Sequence, residues 1–161
     1  MLLHEDLELR KTLGRNYAFR GLPETVISTI AGLAVKRSFA EGERLVERFG
    51  PGCDLYVLLE GRACIQAPGG ATVAEFGPGS IIGEISLVDQ QPRSATVTAT
   101  SEGMAAVIPL AALRGAIKMD PAIGLIIMTN IAHILCLRLR HMDDFIDAIG
   151  SKEGEEAAQT S

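Results

Sequence analysis

The sequence predicts a mainly β fold with flanking helices: an antiparallel jelly roll, or β-roll, with N-terminal helices and a long C-terminal helix. Three observations carry this expectation. Between residues 35 and 109, short runs rich in Val, Ile, Leu and Thr alternate with Gly and Pro clusters at roughly even spacing. Before residue 35 the apolar residues recur at loose helical spacing. After Pro109 the apolar pattern lengthens, and Asp120-Pro121 gives an N-cap followed by proline in the first turn.

Each element follows in order. Leu2, Leu3, Leu7, Leu9 and Leu13 predict an amphipathic segment ending at Gly14. Pro23 opens a second, carrying Val26, Ile27, Ile30 and Leu33. These make up an N-terminal helical segment, residues 1–34. Strands are expected over 44–48, 55–60, 62–66, 72–76, 95–100 and 104–108, punctuated by turns at Glu41-Gly42, Gly50-Pro51-Gly52, Pro68-Gly69-Gly70 and Gly77-Pro78-Gly79. The β-roll is thus set at 35–109. A short helix over 110–118 and a long one to about Ile149 form C-terminal lid helices, residues 110–149. Gly150 offers a stop, and the polar tail 150–161 is expected to be disordered.

Composition narrows the function. A chain of 161 residues with 47% apolar content can build one core without metal or disulfide support. Twenty acidic residues against 15 basic ones argue against a phosphate-tracking surface, so no nucleic acid partner is expected. Cys53, Cys64 and Cys136 are odd in number and widely spaced, which predicts reduced thiols and no metal site. Met1-Leu2-Leu3 runs at once into His4, Glu5 and Asp6, unlike a signal peptide, and a cytoplasmic protein is expected. Ile123 to Leu139 has the length of a membrane span, yet Thr129, Asn130, His133 and Arg138 interrupt it, so a buried helix and no span is the expectation.

The chemistry concentrates in FGPGSIIGEISLVDQQPRSATV, residues 76–97. Gly83 and Glu84 open a short apolar turn, and nine residues after Glu84 come Arg93 and Ser94, ahead of a β-branched strand. A small cyclic phosphodiester of a nucleoside needs such a set. Arginine offers its phosphate a fixed fork of donors, and free backbone N–H groups over residues 83–86 add to it. A carboxylate can accept from the ribose hydroxyl, and a glycine lets backbone approach the ligand closely.

This stretch resembles the phosphate-binding cassette of the cyclic-nucleotide-binding domain family, the cAMP- and cGMP-binding regulatory β-roll domains of kinase regulatory subunits, gated channels and catabolite-activator-type regulators. The segment FRGLPETVISTIAGLAVKRSFAEGERLVERFGPGCDLYVLLEGRACI is similar to the family's opening helix and first strands, and the likeness spans about residues 17 to 140. The resemblance implies that Glu84 holds the ribose 2′-hydroxyl and Arg93 the exocyclic phosphate oxygens. It implies contacts from Gly83, Ile85 and Ser86, with Ser94 beside phosphate and purine. A hydroxyl at this position can serve a guanine base, although cAMP is favoured here and cGMP stays open. Ile134, with Leu137 beyond it, stands where family members that close a lid place a capping residue. These eight residues are the candidate ligand site, with cAMP or cGMP as ligand and no cofactor.

Other classes fit less well. The β-region has no histidine, which removes a cupin-like metal site and any Ser–His or Cys–His pair near Ser80, Ser86 or Cys64. His133 and His141 lie two turns apart on the last helix, a poor metal geometry. A DNA-reading helix-turn-helix is expected only on another chain. The expectation is therefore a stand-alone sensor or regulatory domain and not an enzyme, signalling through its C-terminal helix. The alternative is a degenerate scaffold of the same fold acting through protein contacts. The last helix carries more apolar residues than one stripe uses, which predicts a regulated protein partner or a homodimer through helices.

Overall fold

A computed structural model of the chain describes residues 2–159, with side chains over residues 7–150. Helices α1 (Leu2–Arg15) and α2 (Glu24–Leu33) flank a 3-10 turn at Tyr17–Phe19. Eight strands follow: β1 (Val35–Phe39), β2 (Arg44–Val46), β3 (Asp54–Glu60), β4 (Ala63–Gln66), β5 (Thr72–Phe76), β6 (Ile81–Ile82), β7 (Val97–Ala99) and β8 (Gly103–Pro109). Helix α3 (Glu84–Asp89) interrupts them between β6 and β7, and α4 (Leu110–Met119) and α5 (Pro121–Gln159) close the chain.

The strands form two four-stranded sheets, β1-β8-β3-β6 and β2-β7-β4-β5, with every pairing antiparallel. The first sheet is apolar on both faces because it lies between the helices and the second sheet. Along β3, Leu55 and Val57 turn to the helical side, whereas Leu58 faces the other sheet. In β6 the neighbours Ile81 and Ile82 divide in the same way, and in β8 Ala106 and Ile108 oppose Ala105. The period-two alternation of a strand thus serves two cores at once. One core joins this sheet to Leu13, Phe19, Ile30, Leu110, Leu113, Ile127 and Ile131 of the helices, and the other fills the space between the sheets.

Polar contacts fix the helices to this frame. Buried Asn16 accepts from the Ala18 N–H at 3.0 Å and donates to the Gly79 carbonyl at 2.8 Å. Asn130 of α5 donates to the Arg20 carbonyl at 2.8 Å, and His133 stacks on Tyr17 with ring centroids 5.0 Å apart. Asp120 caps α5 as its sequence predicts, accepting from the Ala122 N–H at 2.9 Å.

Some expectations change. β1 and β6 were not among the expected runs: β1 is an edge strand whose only buried residue is Phe39, and β6 has two residues. The strand expected over 95–100 is shorter, Val97–Ala99. Helix α5 does not stop at Gly150 but continues to Gln159, so the expected disorder of 150–161 gives way to helix over most of that stretch, residues 160 and 161 lying outside the described ones. The segment is rich in Ala, Glu, Lys and Gln, strong helix formers, and its two glycines, Gly150 and Gly154, each weaken a helix by only about 1 kcal/mol. Nor is α5 buried as expected. Its segment Pro121–Gly150 is long and apolar enough, by length and composition alone, to cross a membrane, and only 17% of its most apolar window is covered.

Candidate functional site

The site forms where β6 runs into α3. Gly83, the N-cap of α3, has φ 97°, the left-handed region that glycine adopts without strain. A side chain there would collide with the Arg93 guanidinium and come within 2.7 Å of the Asp54 carbonyl oxygen. Backbone and arginine meet closely only because residue 83 has no Cβ.

Glu84 and Arg93 are both buried, at 1% and 4% exposure. The Arg93 Nη2 donates to the Asp54 carbonyl at 2.5 Å, and Nη1 lies 3.5 Å from the Gly83 carbonyl. No carboxylate forms an ion pair with Arg93 among the described residues: its hydrogen bonds go to neutral carbonyls, and the Glu84 carboxyl acts on it only through space. Burying a charge without a hydrogen-bonded opposite one is costly, so this environment favours an anion in direct contact with it.

The Glu84 carboxylate pairs instead with Arg138 of α5, through Oε1 and Nη1. An ion pair between Glu84 and Arg93 within a surface loop is therefore not what forms. Arg138 also donates to the Ile81 carbonyl at 2.6 Å, and its guanidinium lies 5.0 Å from the Phe76 ring centre. Burial pushes the Glu84 carboxyl above its usual range, a rise that nearby Arg138, its own and Gly83's backbone N–H groups, and Arg93 only partly oppose.

These side chains line one pocket with Val46, Ile65, Phe76, Ile82, Ala95 and Val97 as its apolar wall. Gly83, Glu84, Ile85, Ser86, Arg93 and Ser94 are all brought together there. Ile134 and Leu137 are not: Ile134 packs on the helical core, and Leu137 is 48% exposed. The α5 residue that reaches the pocket is Arg138, one turn beyond Ile134 on the same helix face. Sequence reasoning missed this role, although a lone arginine breaking an apolar run was the available signal. The free cavity measures about 50 Å³ with Arg138 in place. That admits a few waters but falls short of the roughly 300 Å³ of the smallest ligand sites.

The model of one protein family, described as the cyclic nucleotide-binding domain, matches residues 36–120, more than half of the chain. The chain belongs to the cyclic nucleotide-binding domain family. Among curated relatives, this domain is 27% identical over 139 residues to Glutaminase 2 of Bradyrhizobium diazoefficiens, covering 86% of the chain. It is 32% identical over 98 residues, 61% of the chain, to the cAMP-dependent protein kinase regulatory subunit of Debaryomyces hansenii. In both cases it spans only 22% of the relative's length. A solved cyclic nucleotide-binding domain from Methylobacillus flagellatus shares the fold, with a TM-score of 0.73, 24% identity and coverage of 89% of this chain and 83% of that one. The antiparallel β-roll with its long C-terminal helix is the family's architecture, as the sequence predicted.

No group of three or more His, Cys, Asp or Glu side chains that could hold a metal occurs among the described residues. Cys53, Cys64 and Cys136 are free.

Proposed function

We propose that this domain captures a 3′,5′-cyclic nucleotide, cAMP in preference to cGMP, and passes the event to α5 without transforming the ligand. The observation that carries the reading is Arg93, a buried guanidinium in no ion pair among the described residues, set in one pocket with the first residues of α3. A single phosphodiester charge matches it, with Arg93 as a bidentate donor. Glu84, held raised by burial, gains an O–H donor from a ribose 2′-hydroxyl, and the apolar wall suits a purine face. The cAMP preference rests on the kinase regulatory relative, whose name marks it cAMP-dependent. Ser94, exposed at the rim, leaves room for a guanine base as the second choice.

Signalling through α5 follows from Arg138. The free cavity is too small for a nucleotide while Arg138 occupies it, so admission of the ligand shifts Arg138 and with it α5. Because Glu84 in the cassette and Arg138 on α5 are direct partners, whatever binds Glu84 acts on that helix. An empty scaffold is the weaker reading, since nothing about a scaffold requires a buried, unpaired Arg93.

For the partner, α5 itself points to a second copy of this chain. Leu125, Met128, Ala132, Leu135, Leu139, Met142, Ile146 and Ile149 recur at alternating three- and four-residue spacing, the seam of a coiled coil. Six of them are exposed: Leu125, Ala132, Leu139, Met142, Ile146 and Ile149. A lipid-facing helix fits less well, because Arg138, Arg140, Asp143, Asp144 and Asp147 lie within the same span.

Titration calorimetry with cAMP, cGMP and a cyclic pyrimidine nucleotide tests the reading. One ligand per chain with cAMP tightest is expected, and failure of all three to bind removes it.

A further inference from the structure

The cassette helix α3 is six residues long, too short to hold itself by its own hydrogen-bond ladder. One anchor is apolar: Leu87 is buried in the helical core. The other is Arg114 of α4, whose Nη2 donates to the Ser86 carbonyl at 2.6 Å. The same carbonyl accepts the Gln90 N–H at 3.2 Å, so the arginine caps the last turn of α3 from outside. Arg114 takes part in none of the ion pairs found among the described residues. Its Nε is buried and has no hydrogen-bond partner. A buried donor left unmade is a cost, so the guanidinium is held toward Ser86 at the expense of its own satisfaction.

Behind Arg114, α4 packs directly on α5. The closest approach includes Ile117 against Gly124, where a Cβ on residue 124 would come within 2.8 Å of the Ile117 side chain. A displacement of α3 therefore has a short physical path to the start of α5: the Ser86 carbonyl, Arg114, then Ile117 against Gly124. This path is separate from Arg138, which reaches the site from further along α5.

We propose that Arg114 is a positioning residue: it fixes α3, whose first residues Glu84, Ile85 and Ser86 line the ligand pocket, and ties that helix to the α4–α5 corner. The second part rests on the cyclic-nucleotide reading above, whereas the first does not.

The test compares the full chain with Arg114→Met, which keeps the apolar stem but removes the donors, and Arg114→Lys, which keeps one. In nucleotide-free protein, hydrogen exchange over residues 84–90 rises about tenfold in Arg114→Met, the worth of one lost charge-assisted hydrogen bond, while β3 and β8 keep the parent's protection. Arg114→Lys restores most of it. With cAMP, Arg114→Met binds about tenfold more weakly, and the nucleotide-induced change in exchange over residues 121–130 is lost while that around Arg138 persists. Parent-like exchange over 84–90 in Arg114→Met overturns the proposal. So does an unaltered nucleotide response over 121–130. If the parent binds no cyclic nucleotide, that reading falls, and exchange over 84–90 in the free protein still decides the positioning role. If Arg114→Met does not fold, Arg114→Gln, which removes the charge but keeps a polar side chain, is read in its place: reduced α3 protection in a folded protein supports the role, and parent-like protection overturns it.

Discussion

At the scale of single residues, the site divides its work between two buried charges in different circumstances. Arg93 hydrogen-bonds only to carbonyls among the described residues, whereas Glu84 forms an ion pair with Arg138. This difference gives Glu84 a distinctive signature. Removing its carboxylate should weaken a ribonucleotide but leave a 2′-deoxy analogue almost unaffected, since that analogue offers no 2′-hydroxyl. Calorimetry of Glu84→Ala with both ligands checks this, and equal losses would mean that Glu84 acts through structure alone. A second consequence concerns pH. The Glu84 carboxyl is raised in the folded state above its ordinary 4.5, so between those values the native protein holds a proton that the unfolded chain has released. Stability from this group is therefore full below about pH 4.5 and falls as pH rises through the folded pKa, levelling off above it. Thermal melts of the parent minus those of Glu84→Gln should show this downward slope, and a difference that climbs with pH would contradict the assignment. The sequence made Gly83, Glu84, Arg93 and their neighbours legible because they sit in one short stretch with fixed spacing. Arg138 was not legible, because its role depends on which face of a helix 54 residues from Glu84 comes down on the pocket.

Among the elements, the strands that sequence reading found are those with several inward residues and a turn signal at each end. β1 escaped because it is a polar edge strand, and β6 because two residues carry no periodicity. The two-sided burial of β3 and β8 explains their near-continuous apolar runs. Helix α5 was found with its start correct, its N-cap Asp120 being a local signal, but its end was not, since helix-forming tail residues outweigh Gly150 and Gly154. Its contact with the pocket through Arg138 sets the expected dynamics. Saturating cAMP should alter hydrogen exchange over residues 125–147, centred on Arg138. Demonstrable binding with identical exchange would remove the switch from this helix.

For the whole molecule, α5 is the element that the rest of the chain leaves largely uncovered. Its three-four apolar seam is self-complementary in parallel, which predicts a species of twice the 17.1 kDa chain mass by light scattering. Introducing Leu139→Asp together with Ile146→Asp should return a monomer that still binds nucleotide, because neither residue lines the pocket. A parent that is monomeric at high concentration would sink the seam. The β-roll, its two cores and its cassette do not depend on that outcome.

The central claim is that buried Arg93 receives the cyclic phosphate, and the direct measurement is the affinity of the parent and of Arg93→Ala for cAMP, each first shown to be folded by its melting transition. Loss of the charge-assisted contact, about 1.5 to 3 kcal/mol, predicts weakening of roughly one to two decades, with Arg93→Lys recovering only part. A folded Arg93→Ala that binds cAMP as tightly as the parent would contradict the account.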